Sequence, residues 1–173
     1  QTTASAYTHG RSDMLAFQYR GAVMAKKIDG GVGTKVSASK PDGQNLKEED
    51  LSDRKMDYAY LKYANLKEAD FSDTSLRQAV MAEADLSEEN LEGANLAGAD
   101  LRKAVLKGAN LRGANLQGAL LMEANFADAN LRRANLAGAD MQWAKFMGAN
   151  LRSADLSGAD LRDAVYDEET TWP

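Results

Sequence analysis

Chemistry in this chain would have to come from carboxylates and guanidinium groups, because it has no Cys and His9 is its single imidazole. Thiolate catalysis, disulfide stapling and Cys/His zinc sites are therefore excluded. Two charged sets are spaced suggestively: Asp50, Asp53, Asp70 and Asp73 are separated by 3 or 20 residues, and Arg112, Arg132 and Arg152 by 20, with Arg133 beside them. Grouped carboxylate oxygens would make a weak Ca²⁺ or Mg²⁺ site, and a guanidinium ladder would hold an anion or an acidic partner. The competing reading is a solvated surface whose like charges are screened by salt. Two other motifs carry less. Gly30-Gly31-Val32-Gly33-Thr34-Lys35 lacks the Gly-Lys-Ser/Thr order of a phosphate loop and reads as linker. His9 lies in a polar stretch with no nucleophile to pair with, so it reads as solvated. No constellation of nucleophile, base and orienting group emerges. The chain is expected not to be an enzyme and to need no cofactor, no resident metal and no small-molecule substrate.

The 173 residues suffice for one domain or one short repeat array, and no apolar run exceeds four residues, far short of a membrane span. A net charge of -5 argues against general nucleic-acid binding. The first residue is Gln and not Met, so a start and a targeting segment are expected to precede it.

The elements that position these residues follow from an internal repeat. From Leu46 to Tyr166 an apolar residue recurs at every fifth position, through 25 pentads, and Ala stands two residues before the centre in 20 of the 25. The residue between is most often Asn or Asp, so the unit reads Ala-Asn/Asp-Leu-x-x. A period of five spirals around a helix instead of forming a stripe. On a flat strand it alternates faces unless the chain turns a corner once per pentad. Eight Gly, from Gly93 to Gly158, all lie two residues after a centre, where a turn can require positive φ. Four such corners close a square, giving 20 residues per coil.

This pattern resembles the pentapeptide-repeat family over residues 46–166, about 70% of the chain. The resemblance implies an all-β solenoid, a right-handed quadrilateral β-helix of about six coils with four pentapeptides each, roughly 30 Å long at about 4.8 Å per coil. It also implies that the Leu-type centre and the Ala before it point inward, and the other three residues outward. Gln44, Glu49 and Arg54 then occupy inward positions of an imperfect first coil, with regular structure expected from about 58–61. Glu89 would point inward in mid-column and is expected to reach water at a corner.

Terminal segments must cover the open ends of a solenoid. The organisation expected is an N-terminal segment over 1–43, the solenoid over 44–166 and a C-terminal cap over 167–173, where Tyr166 and Trp172 are large enough to close the last coil. Within the first segment, Ser12 and Asp13 offer an N-cap, and Met14, Phe17, Gly21, Met24 and Ile28 follow at helical spacings. A short amphipathic helix over about 13–28 is predicted, followed by a Gly/Ser/Pro linker.

Residues 20 apart stack on one face. One face carries the four Asp at its start and the four Arg at its end. The next projects Tyr60, Tyr63, Val80, Leu120, Met122 and Trp143 at nominally outward positions, the most apolar outer surface and the candidate site for a protein partner. The resemblance to the pentapeptide-repeat proteins of cyanobacteria and the plant thylakoid lumen implies a soluble binding or scaffold protein of that compartment, engaging an unidentified protein. The second reading is the family's DNA-mimicking branch that inhibits DNA gyrase, and the third is a cation-binding structural protein. From Gln44 onward acids outnumber bases 13 to 6 before Gly93 but only 10 to 9 after it, which is not a uniformly acidic rod. Only seven residues follow Tyr166, too few for the dimer helix associated with the gyrase-inhibiting branch, so a monomer is expected in preference to a dimer.

Overall fold

The computed structural model describes residues 14–19, 22–27 and 45–173. From Asn45 onward the chain returns on itself every 20 residues. Parallel bridges join Asn45 to Asn65, Asp50 to Asp70, Lys55 to Ser75 and Tyr60 to Val80, and so on to Lys145 with Val165. Each coil thus has four bridged sides.

The corners explain why five residues suffice per side. In each of the 24 pentads from Leu46 to Leu161 the N–H three residues after the centre donates to the centre's carbonyl, as Ala114 N–H does to Leu111 C=O at 3.0 Å. The residue just before that donor has positive φ throughout, in sixteen non-glycine and eight glycine cases. A closed four-residue turn with positive φ at its third residue has the form of a type II turn. The Asn or Asp that precedes most centres then acquires a purpose. Its Oδ1 accepts the N–H two residues on, as Asn115 does from Gln117 at 3.1 Å, bracing the entry to the corner. In Asn130, Asn110 and Asn90 the Nδ2 also donates along the column to the residue 20 earlier, at 3.1–3.2 Å.

Between corners, backbone bonds run only to the neighbouring coils. Leu111 N–H donates to Asn130 C=O at 2.8 Å, Gly113 N–H to Arg132 C=O at 2.9 Å and Asn110 N–H to Glu89 C=O at 2.9 Å. The centres and the Ala residues fill the interior, and from Leu66 to Leu151 every centre has at most 0% of its surface exposed. Each fully buried Leu contributes about 2 kcal/mol. The interior begins earlier than the expected 58–61. Leu46 and Leu51 are buried, and Leu46 N–H already donates to Asn65 C=O at 2.8 Å. Glu49 and Arg54 stay half-exposed.

Two polar residues sit where Ala is the rule. Thr74 is fully buried, and its hydroxyl donates to Leu51 C=O at 2.8 Å, which satisfies it. Glu89 is only 4% exposed, so the expected escape to water does not occur. Its Oε1 accepts Glu68 N–H at 2.6 Å, a donor that the register would otherwise direct to Ser87 C=O. Around it the column keeps its parallel bridges, Asn65 with Asp85 and Asp70 with Asn90. The carboxylate therefore takes one corner donor away from the backbone ladder. Burial pushes its pKa up, opposed by the backbone donors Glu68 and Ala69, with the negative charges of Asp85 and Glu68 adding to the rise.

At the C-terminal end the register lengthens by one residue, and Thr171 bridges Asn150. The slip is pinned by Asp167, whose Oδ1 accepts Gly148 N–H at 2.9 Å and Thr170 N–H at 3.0 Å. These bonds hold its carboxyl below the usual range. Phe126 and Phe146 stack in parallel at 5.3 Å, and Trp172 packs on Phe146 at 5.9 Å. Tyr166 meets Trp172 edge-on but is 61% exposed, so of the two expected closing residues Trp172 does the covering.

The N-terminal helix predicted over about 13–28 is replaced by a hairpin. Strand β1, Met14–Tyr19, pairs antiparallel with β2, Ala22–Lys27, in a register that sets Phe17 opposite Met24. The sequence supports this in hindsight. Leu15, Phe17 and Tyr19 recur at period two, and only Arg20 and Gly21 separate the strands, a hairpin spacing that competes with the three-and-four spacing. The expected capping role, the linker, His9 and the Gly30 to Lys35 motif lie outside the described residues. No helix among the described residues is long and apolar enough to cross a membrane.

Two predictions follow from this interior. Ala114 is fully buried while Gln117 is exposed. Ala114→Leu should cost about 1–3 kcal/mol by overpacking, whereas Gln117→Leu should change the melting temperature little. Equal shifts would disprove the inward and outward assignment. Because the fold raises the pKa of Glu89, the stability linked to that group is full below the ordinary carboxylate value of 4.5 and is lost as pH rises through its folded value. Glu89→Gln should therefore melt higher than the parent at pH 7, and the gap should close towards pH 4. A Gln variant that melts lower at pH 7 would show that the carboxylate's backbone bonds outweigh its burial.

Candidate partner-binding faces

Outward side chains form rows, each row carrying one residue per coil. On the face with centres Leu51, Phe71, Leu91, Leu111, Leu131 and Leu151, one row reads Asp50, Asp70, Asn90, Asn110, Asn130, Asn150. The row after the centres reads Ser52, Ser72, Glu92, Arg112, Arg132, Arg152, and the corner row Asp53, Asp73, Gly93, Gly113, Arg133, Ser153. The structure thus brings Arg112, Arg132, Arg133 and Arg152 together at one end of the face and the four Asp at the other.

Two of the four Asp are engaged by their own turns. Asp50 Oδ1 is engaged by the Ser52 hydroxyl at 2.6 Å and by Ser52 N–H at 3.1 Å, bonds that hold its carboxyl below the usual range. Asp70 Oδ1 accepts Ser72 N–H and Asn90 Nδ2. Among the described residues no three His, Cys, Asp or Glu side chains converge as metal ligands. Of the cation cluster expected of Asp50, Asp53, Asp70 and Asp73, the first and third use an oxygen in turns and ladders, and Asp53 and Asp73 stand exposed in the corner row.

In the Arg set, Arg112 Nη1 pairs with Glu92 Oε1 at 2.6 Å, and Glu92 Oε2 also accepts Asn110 Nδ2 at 3.1 Å. Among the described residues, Arg132, Arg133 and Arg152 make no salt bridge. A cleft of about 390 Å³ lies between the acidic and basic ends, lined by Asp73, Glu92, Arg112 and Arg133 over Gly93 and Gly113. At Gly113 a side chain would meet open space, so the glycine leaves a notch in the corner row.

On the next face Tyr60, Val80 and Met122 are half-buried, while Tyr63, Leu120 and Trp143 are exposed, Trp143 by 54%. The six share the face but form two groups. Asp100, paired with Arg102 at 2.7 Å, stands between Val80 and Leu120, and Arg102 holds its carboxyl below the usual range. Glu83, Lys103 and Glu123 stand between Tyr63 and Trp143, with Lys103 and Glu123 paired at 3.7 Å. Tyr63 is engaged within its own group, with Lys62 Nζ 4.6 Å above its ring and its hydroxyl 3.4 Å from Glu83. Trp143 instead borders an open cleft of about 380 Å³ with Met122, Glu123, Lys145, Asp163 and Val165. Val165 and Lys145 were missed by the sequence reading because they belong to the adjoining side and meet Trp143 around a corner. Tyr58, 53% exposed on another side, was also missed.

Several solved structures are similar to this chain. A pentapeptide-repeat protein (Rfr23) from the cyanobacterium Cyanothece 51142 is 29% identical, covering 75% of this chain and 88% of its own, with a TM-score of 0.42. A pentapeptide-repeat protein of the Arabidopsis thaliana thylakoid lumen is 23% identical, covering 69% and 62%, with a TM-score of 0.37. HetL of Nostoc sp. strain PCC 7120, involved in heterocyst differentiation regulation, is 28% identical, covering 70% and 86%, with a TM-score of 0.26. No curated protein matches the chain. Residues 55–88, 90–126 and 124–163 match the description of pentapeptide repeats, in eight copies. With a coil closed every 20 residues by four turns, this chain belongs to the pentapeptide-repeat family, whose fold is the right-handed quadrilateral β-helix.

Proposed function

We propose that the protein is a non-enzymatic binding module that engages a protein partner through the Trp143 end of its apolar face. The observation that carries this reading is Trp143 itself, 54% exposed beside Met122 and Val165 on the rim of an open cleft. Large aromatic side chains seated in shallow pockets are the usual anchors of protein interfaces. The cleft also offers Lys145 beside Glu123 and Asp163, a polar rim that fixes orientation without burying a charge. Leu120, 40% exposed, extends the apolar area along the same face. Family membership supports a role without catalysis. The reading keeps the thylakoid-lumen or cyanobacterial setting that the resemblance implies, with a partner from that compartment. DNA mimicry has less support, since the unpaired Arg132, Arg133 and Arg152 would meet a DNA-binding surface with the wrong sign.

Trp143→Ala should lower the affinity for a captured lumenal or cyanobacterial partner by 10-fold or more, about 1.4 kcal/mol or above, and leave the melting temperature nearly unchanged. Unchanged capture by Trp143→Ala and by Leu120→Ser would remove this face from the interface.

A further inference from the structure

The charges on the Leu51 to Leu151 face are divided by end, and the division is self-complementary. We propose that this face is a weak, salt-sensitive interface between two copies of the chain, packed side by side with their columns antiparallel. When one copy is turned end over end against another about a two-fold axis midway along the face, the side with centre Leu51 meets that of Leu151, Phe71 meets Leu131 and Leu91 meets Leu111. The rotation preserves each lateral row, so a residue meets the row-mate at the opposite end. Asp73 then faces Arg133, Glu92 faces Arg112, and the Asp50 and Asp70 row lies beside Arg152 and Arg132. Gly93 faces Gly113 at the two-fold, where Gly113 leaves open space and the Asp73 carboxylate lies over Gly93. A parallel arrangement would set Asp against Asp and Arg against Arg, so the charge pattern selects the antiparallel one. The other three faces do not divide their charges in this way.

Further observations support a second copy as the occupant. Among the described residues Asp53, Asp73, Arg132, Arg133 and Arg152 lack salt bridges within their own chain, although each is exposed. Arg112, Arg132 and Arg152 stand about 4.8 Å apart per coil, a repulsive ladder that opposite charges would relieve. A strip about 30 Å long buries roughly 400 Å² per copy, which places the contact among transient complexes. This departs from the monomer expected from the sequence. It is independent of the Trp143 face, which lies on another side of the column.

Sedimentation of the full chain at several hundred micromolar tests the proposal. In 20 mM salt the weight-average mass should rise towards twice that of the monomer, and in 500 mM salt it should return to the monomer. The Asp70→Lys/Asp73→Lys variant, with a basic face, and the Arg132→Glu/Arg133→Glu variant, with an acidic one, should each stay monomeric in low salt. Mixed in equal amounts they should form a heterodimer, and unchanged melting curves would show that both are folded. Three outcomes would overturn the proposal: a monomeric parent in low salt, self-association retained by both variants, or folded variants that do not pair when mixed. A parent that stays monomeric yet binds poly-glutamate through Arg132 and Arg133 would assign the basic end to an acidic partner instead. Trp143→Ala should leave self-association unchanged, which separates this interface from the proposed partner face.

Discussion

Everything in this protein depends on the chain meeting itself 20 residues later. Each side donates to the coils before and after it, and a five-residue side has no room for any bond along its own length except the corner turn. Identical positions therefore stack, and a residue type that suits one coil suits all of them. Leu fits because its neighbours above and below are Leu. Ala fits because the corner beside it leaves room for little more than a methyl group. Asn and Asp fit because one oxygen can brace a turn while, in Asn, the amide reaches the next coil.

The same constraint makes exceptions informative. Thr74 replaces Ala without disturbing the ladder because its hydroxyl donates to a carbonyl already at hand. Glu89 cannot do the same, since its longer chain and its charge both need space. It takes a backbone donor for itself, while the bridges on either side persist. One side chain thus gives a locally uniform column a buried carboxylate at a defined height.

Period five, unbroken over 25 pentads, made the corners and the 20-residue coil legible from the sequence, and the family resemblance it carries supplied the solenoid's inward rows. What stayed hidden depended on contacts around corners or on competing periodicities. Val165 meets Trp143 only because adjoining sides share an edge. The apolar face looked continuous as a set of positions, yet the Asp100 and Arg102 pair divides it. Around 14–27, strand and helix spacing share Phe17 and Met24, so pattern alone could not separate them. Glu89 was flagged by its position. Whether its carboxyl reached water was a matter of geometry within one corner.

The corners also explain where the acidity lies. All 24 corner residues have positive φ, a conformation that costs an L-residue about 1–2 kcal/mol relative to a freely adopted one and costs glycine nothing. All eight glycine corners lie from Gly93 onward, whereas Glu48, Asp53, Glu68, Asp73, Glu83 and Glu88 hold six of the nine corners before it. Corner side chains stand at the edges of the column, beyond reach of the core, so packing cannot account for them. The first half of the column carries carboxylates where glycine would be less strained, and the basic half opposes it on one face through Arg133, itself a strained corner. A charge pattern held against backbone strain is best understood as a surface shaped for something that meets it.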